Sequence, residues 1–189
     1  MTTGRPFDPR HLDVAAFARA GALLQGAWPQ AGMSRLLHDA LPAAAAPAEP
    51  VDWSAQGECR PVAGGDDLIL LHLQVQTAVQ MSCQRCLQPV SVPLQVKTTL
   101  RFVRDEALAE KLDEESEEDV LVLSAALDLH ALIEDELILN LPIVPRHTQC
   151  PEPLPMSAGE DEVRPAEAEQ PFAKLASMLR DSRGGGKPS

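Results

Sequence analysis

Two stretches in which apolar and polar residues alternate, LHLQVQTAVQM from Leu71 and VSVPLQVKTTLRF from Val90, are separated only by a short connection that carries Cys83 and Cys86. A period of two puts Leu71, Leu73, Val75, Val79 and Met81 on one side of the first stretch, with His72, Gln74, Gln76 and Gln80 on the other. In the second, Val90, Val92, Leu94, Val96, Leu100 and Phe102 share a side and Lys97 and Arg101 lie opposite. A helix would scatter these apolar residues around its circumference, so the pattern predicts two half-buried antiparallel strands. Pro93, which has no amide hydrogen to give a neighbour, places the second strand at an edge or a bulge.

Other elements group around this hairpin. AGGDD at 63–67 is a turn leading back to a weaker strand near VDWSAQGEC, and DVLVLS from Asp119 is a further short strand. HLDVAAFARAGALLQG and AGMSRLLHDAL carry apolar residues at three- and four-residue intervals, which predicts N-terminal helices within 12–41. The Ala/Pro run at 42–50 separates them from a sheet expected over 51–123. LDLHALIEDELILNLP predicts a helix over 127–140, capped by Asp128, facing inward with Leu129, Leu132, Ile133 and Leu137, and ended before Pro142. LDEESEED at 112–119 is expected to stay solvated because its carboxylates repel one another. The fold class expected is α+β: an antiparallel sheet, curling towards a partial barrel, with flanking helices in one domain over 1–150. Residues 151–189 are expected to form a flexible acidic, proline-rich tail. Within the tail, PFAKLASMLR predicts a short helix at 171–180 whose stripe of Phe172, Leu175 and Leu179 would dock on a partner.

Composition narrows the function classes. A formal net charge of −12 argues against binding a polyanion through the overall field, and 3% aromatic residues with no tyrosine leave few platforms for stacking bases. No apolar run approaches a bilayer span, and Asp8, Asp13 and Arg19 break up the N-terminus as a signal peptide, so the expected setting is the cytoplasm, without membrane contact. No phosphate-cradling glycine loop, nucleophile elbow or metalloprotease helix occurs, and His11, His38, His72 and His130 fall in separate elements. A non-enzymatic protein without a small-molecule substrate is the favoured reading.

In a reducing compartment the pair Cys83 and Cys86 has three readings: a metal half-site, a thiol-exchange pair, or small residues pinning a turn. Thiol exchange is disfavoured because the motif runs into Pro89 and a strand instead of opening a helix that would stabilise a thiolate. A metal half-site needs two more ligands, and HTQC supplies His147 and Cys150. The set Cys83, Cys86, His147 and Cys150 has donor types suited to zinc, with Cys59 as a substitute for His147. Against the acidic background, the span from Leu68 to Arg104 contains no Asp or Glu, and its only formal charges are Arg85, Lys97, Arg101 and Arg104. These four form a candidate phosphate-binding surface.

CQRCLQPV, LDLHALIEDELILNLPIVPRHTQC and PFAKLASMLR together resemble the YceD family of large ribosomal RNA subunit accumulation proteins. The resemblance maps the family's cysteine motif onto Cys83, Arg85 and Cys86 and its later motif onto Glu134, Glu136, Pro142, Pro145, His147 and Cys150. It implies a non-enzymatic role in the synthesis, processing or stability of 23S ribosomal RNA in the bacterial cytoplasm. The expected partners are that RNA or other large-subunit assembly components. The alternative is an adaptor that binds a ribosomal protein or an RNA-processing enzyme without touching RNA.

Overall fold

The computed structural model describes residues 7–38, 40, 49–113, 116 and 118–151, all within one compact unit, Met1–Glu152. The expected tail and its helix at 171–180 lie outside the described residues. In chain order the elements are α1 (Val14–Arg19), β1 (Leu23–Trp28), β2 (Val51–Arg60), β3 (Leu68–Ser82), β4 (Pro89–Val103), α2 (Glu106–Asp113), β5 (Asp119–Val122) and α3 (Leu129–Leu139). The architecture is α+β, and the strands lie in the sheet in the order of the chain, β1-β2-β3-β4-β5. The first three pairings are antiparallel and the last is parallel.

The long hairpin has the register expected from its alternation, with Leu71 opposite Leu100, Val75 opposite Val96 and Met81 opposite Val90. β5 pairs only with Leu100–Val103, so β4 is an edge where Pro93 sits opposite Ala78. The missing proline amide therefore faces no ladder partner. The sheet is open, with β1 and β5 as its two borders.

Three local outcomes differ from the sequence expectation. The predicted N-terminal helix stops at Arg19, because Gly21 adopts a left-handed φ of 57° and turns the chain into β1, which pairs with β2. The second predicted helix, around 31–41, is reduced to two short 3-10 turns, Gln30–Gly32 and Leu36–His38. There the amides of Arg35 and Leu36 donate to the Glu134 carboxylate instead of to a preceding helical turn. Finally, α2 forms just ahead of the acidic run and includes its first residues, giving the crossover that a parallel β4–β5 pair requires.

α1 packs on β2 and β3, and α3 packs on β4. Their apolar faces, including Phe17, Leu129, Ile133 and Leu137, close over Ala55, Leu71, Leu73, Val96 and Leu100 from the sheet. A fully buried leucine contributes about 2 kcal/mol through this burial. Asp128 caps α3 as its sequence predicts, its carboxylate accepting from the amides of His130 and Ala131. The buried Gln30 side chain is satisfied by donating to Thr77 Oγ1 at 2.7 Å and to the Ala78 carbonyl at 2.8 Å.

Candidate metal centre and cation-bearing surfaces

The connection between β3 and β4 is a tight knuckle. The Cys83 amide donates to the Gln88 carbonyl at 2.9 Å, and the Leu87 amide donates to the Cys83 carbonyl at 2.8 Å. Leu87 closes the turn with a left-handed φ of 59°, the one positive φ at a non-glycine residue among those described. After α3, the chain returns along the sheet and meets this knuckle, where the Gln84 amide donates to the Pro145 carbonyl at 2.9 Å.

That return brings the second candidate pair to the first. The sulfurs of Cys83, Cys86 and Cys150 and a ring nitrogen of His147 all lie within 4.8 Å of one another. His147 Nε2 is 2.9 Å from the Pro89 carbonyl, which can only accept, so this nitrogen carries the proton. Nδ1 is thereby left with its lone pair directed towards Cys86 Sγ, 3.4 Å away. Fixing the second ring nitrogen in this way is how a protein orients a metal-binding histidine. Cys59 is not part of the group. It pairs with Ile69 near the start of β3, whereas Cys83 follows the last residue of that strand, about 45 Å along an extended chain.

The thiols of Cys83 and Cys150 are pushed in opposite directions. Burial pushes the Cys83 thiol up, but hydrogen bonds from the amides of His147, Cys86 and Arg85 outweigh it and bring the value down to about 5. The Cys150 thiol is pushed up by its burial and by the neighbouring Cys86 and Cys83 sulfurs. A thiolate at Cys83 is therefore stable in the protein alone, and a cation is what would help Cys150 to lose its proton. The cysteines are free thiols and Cys83 is fully buried, on a hairpin instead of a helix terminus, which does not favour thiol exchange.

The four cations expected to meet RNA do not form one patch. Arg85 lies in the knuckle and Arg104 beyond the other end of the 15-residue β4, about 45 Å away in an extended strand. Arg104 is held by Asp66 at 3.0 Å and Asp105 at 3.1 Å. Lys97 is exposed, opposite Gln74, while Arg101 is half-buried and its Nε is enclosed without a hydrogen-bond partner. Phe172, Leu175 and Leu179 fall outside the described residues.

Two further polar clusters had no local signal in the sequence because their members are distant along the chain. Glu134, buried in α3, accepts from the amides of Arg35 and Leu36 and from the Arg35 guanidinium. On the outer sheet face, His72 lies 2.6 Å from Glu58 and 3.0 Å from Thr99. Arg146, exposed beside His147, also stood outside the group of cations singled out from the sequence. Among the described residues, no helix is long and apolar enough to cross a membrane.

No solved structure matches this chain. A curated Large ribosomal RNA subunit accumulation protein YceD from Haemophilus influenzae is 35% identical over 116 residues, 59% of this chain and 66% of the relative, so the chain spans slightly under two thirds of that protein. The family model described as Large ribosomal RNA subunit accumulation protein YceD matches residues 71–179, from within β3 to beyond the knuckle ligands. A match of that extent covers more than half of the chain, and the chain belongs to the YceD family.

Proposed function

We propose that this chain promotes accumulation of the large ribosomal RNA in the bacterial cytoplasm, by acting on the synthesis, processing or stability of 23S RNA without catalysing a reaction of its own. The observation that carries this reading is the family match over residues 71–179. In this reading Cys83, Cys86, His147 and Cys150 hold a zinc ion, supported by their mutual approach within 4.8 Å and by the fixed tautomer of His147. The ion is structural. Four protein donors fill a tetrahedral shell and leave no position for a reacting water.

Of the four cations first expected to touch RNA, Lys97 and Arg101 remain the pair suited to one backbone, being four residues apart on one strand and about 14 Å from each other. Arg104 would first have to leave Asp66 and Asp105. The test of the function is the ratio of 23S to 16S RNA in cells lacking the protein. The ratio should fall, and expression of this chain should restore it; an unchanged ratio overturns the reading.

The adaptor remains as a second reading, supported by the acidic run at 112–119 and by the stripe of Phe172, Leu175 and Leu179. Replacing Phe172 and Leu175 by alanine should then abolish capture of a ribosomal protein or processing enzyme while leaving the melting temperature unchanged.

A further inference from the structure

The end of the molecule that carries the cysteine knuckle also gathers features that a metal site alone does not require. Arg85 lies in the sequence between two of the candidate ligands and Arg146 immediately before a third. Both residues are exposed, and neither guanidinium makes a hydrogen bond or ion pair among the described residues. This contrasts with Arg35, Arg60 and Arg104, each of which is paired with a carboxylate. No Asp or Glu occurs in 81–90 or 140–151, the two segments that build this end of a chain whose net charge is −12.

Exposed apolar side chains lie on the same two segments. Leu87 is 74% exposed, Ile143 98% and Val144 45%, so three of the seven large hydrophobic residues exposed among those described belong to this tip. The bond from the Gln84 amide to the Pro145 carbonyl joins the segments there, with Arg85 and Leu87 within three residues of the junction on one side and Ile143, Val144 and Arg146 within two on the other. Leu87 adds a separate signal. Its left-handed backbone would cost a glycine nothing, whereas a leucine is held there with its side chain in solvent. That arrangement has a use if the side chain touches something outside the protein.

We propose that the tip formed by Arg85, Leu87, Ile143, Val144 and Arg146 is the RNA-contacting surface of this protein and that it takes an unpaired stretch of ribosomal RNA. Two free guanidinium groups without competing carboxylates suit phosphates, and guanidinium planes also stack on bases. Aliphatic side chains at such a tip meet base faces only where the bases are unstacked, because a duplex presents mainly phosphates and sugars to a protrusion of this kind. An acidic protein partner would satisfy the cations as well, but the chain's membership of an RNA-accumulation family favours RNA. The inference rests on the function proposed above. It moves the principal contact from the strand face of Lys97 and Arg101 to the knuckle.

The test uses the full chain purified with its metal and full-length 23S RNA as the probe. Filter binding should show weak affinity with a log–log salt slope of about −1.4, the value for two neutralised phosphates on a single strand. Ultraviolet cross-links should map to peptides from 83–90 and 141–151 and to unpaired nucleotides. Arg85→Gln with Arg146→Gln should weaken binding about tenfold and bring the slope close to zero. Leu87→Ser with Ile143→Ser should weaken binding while leaving the slope as it was. Neither pair should alter metal content or melting temperature. Unchanged binding by the arginine variant, cross-links confined to other peptides or to duplex, or no binding to 23S RNA overturns the proposal, the last in favour of a protein partner. If deletion of the native protein lowers 23S RNA and the arginine variant restores it fully, the tip is wrong and the functional reading stands. If deletion leaves 23S RNA unchanged, the functional reading is itself wrong.

Discussion

Glu134 shows how much one residue can organise. Burial would push its carboxyl up, but the amides of Leu36 and Arg35 and the Arg35 guanidinium outweigh that and hold it below the ordinary glutamate value. Removing the carboxylate leaves the buried Leu36 amide without its acceptor, while the Arg35 guanidinium keeps Asp135 and the Ala131 carbonyl, so Glu134→Ala should cost about 2 kcal/mol in denaturant unfolding at neutral pH. The contribution has a defined pH course. With a folded pKa below the unfolded one, it is complete above the unfolded value of about 4.3 and is lost as pH falls through the folded value. The difference in stability between the natural protein and Glu134→Ala should therefore shrink as the medium is acidified below pH 4.3, by the part that the ionised carboxylate contributes. A constant difference across that range would show that packing, not charge, accounts for the loss.

At the scale of elements, the placement of α1 depends on a residue with no side chain. A Cβ on Gly57 in β2 would come within 2.8 Å of the Ala18 backbone and of the Phe17 ring, so the helix sits directly on the strand. Gly57→Ala should displace α1 and cost about 1–3 kcal/mol, read as a fall in melting temperature, with the knuckle at the opposite end of β3 unaffected. The same elements show what could be read from the sequence. The β3–β4 hairpin was legible because a two-residue period admits one register once one side is buried, and α3 was legible from Asp128 and its apolar spacing. β1 was hidden. Its residues continue the helical spacing of α1, and only the turn at Gly21 and pairing with β2 decide otherwise. The four candidate donors of the knuckle were legible as two short motifs in donor types that suit one metal. Their meeting depends on the path of the chain from α3 back to Pro145, which no local pattern specifies. The three arginines and one lysine lacked such a constraint: a carboxylate-free stretch says which charges are present, but the length of β4 spreads them apart.

For the molecule as a whole, the knuckle joins positions far apart in the chain, since β4, α2, β5 and α3 all lie between Cys86 and His147. Protein purified without chelator should contain one zinc per chain by elemental analysis, and His147→Ala or Cys150→Ser should lower both that content and the melting temperature. Occupancy should fall as the medium is acidified, because the thiols must give up their protons and the Cys150 thiol is held above its ordinary value. Full-length protein that contains no metal, with the substitutions leaving its stability unchanged, would show that hydrogen bonds alone close the site. The order of strands in the sheet has a further consequence for the way the protein is made. β1, β2, β3 and β4 are neighbours in the order of synthesis, so each can dock on its predecessor as it leaves the ribosome. The donors at 147 and 150 emerge only after every described strand and helix has been translated, so a metal that needs all four donors could be taken up only once that body has been made, and its uptake would be a chemical mark of a completed body.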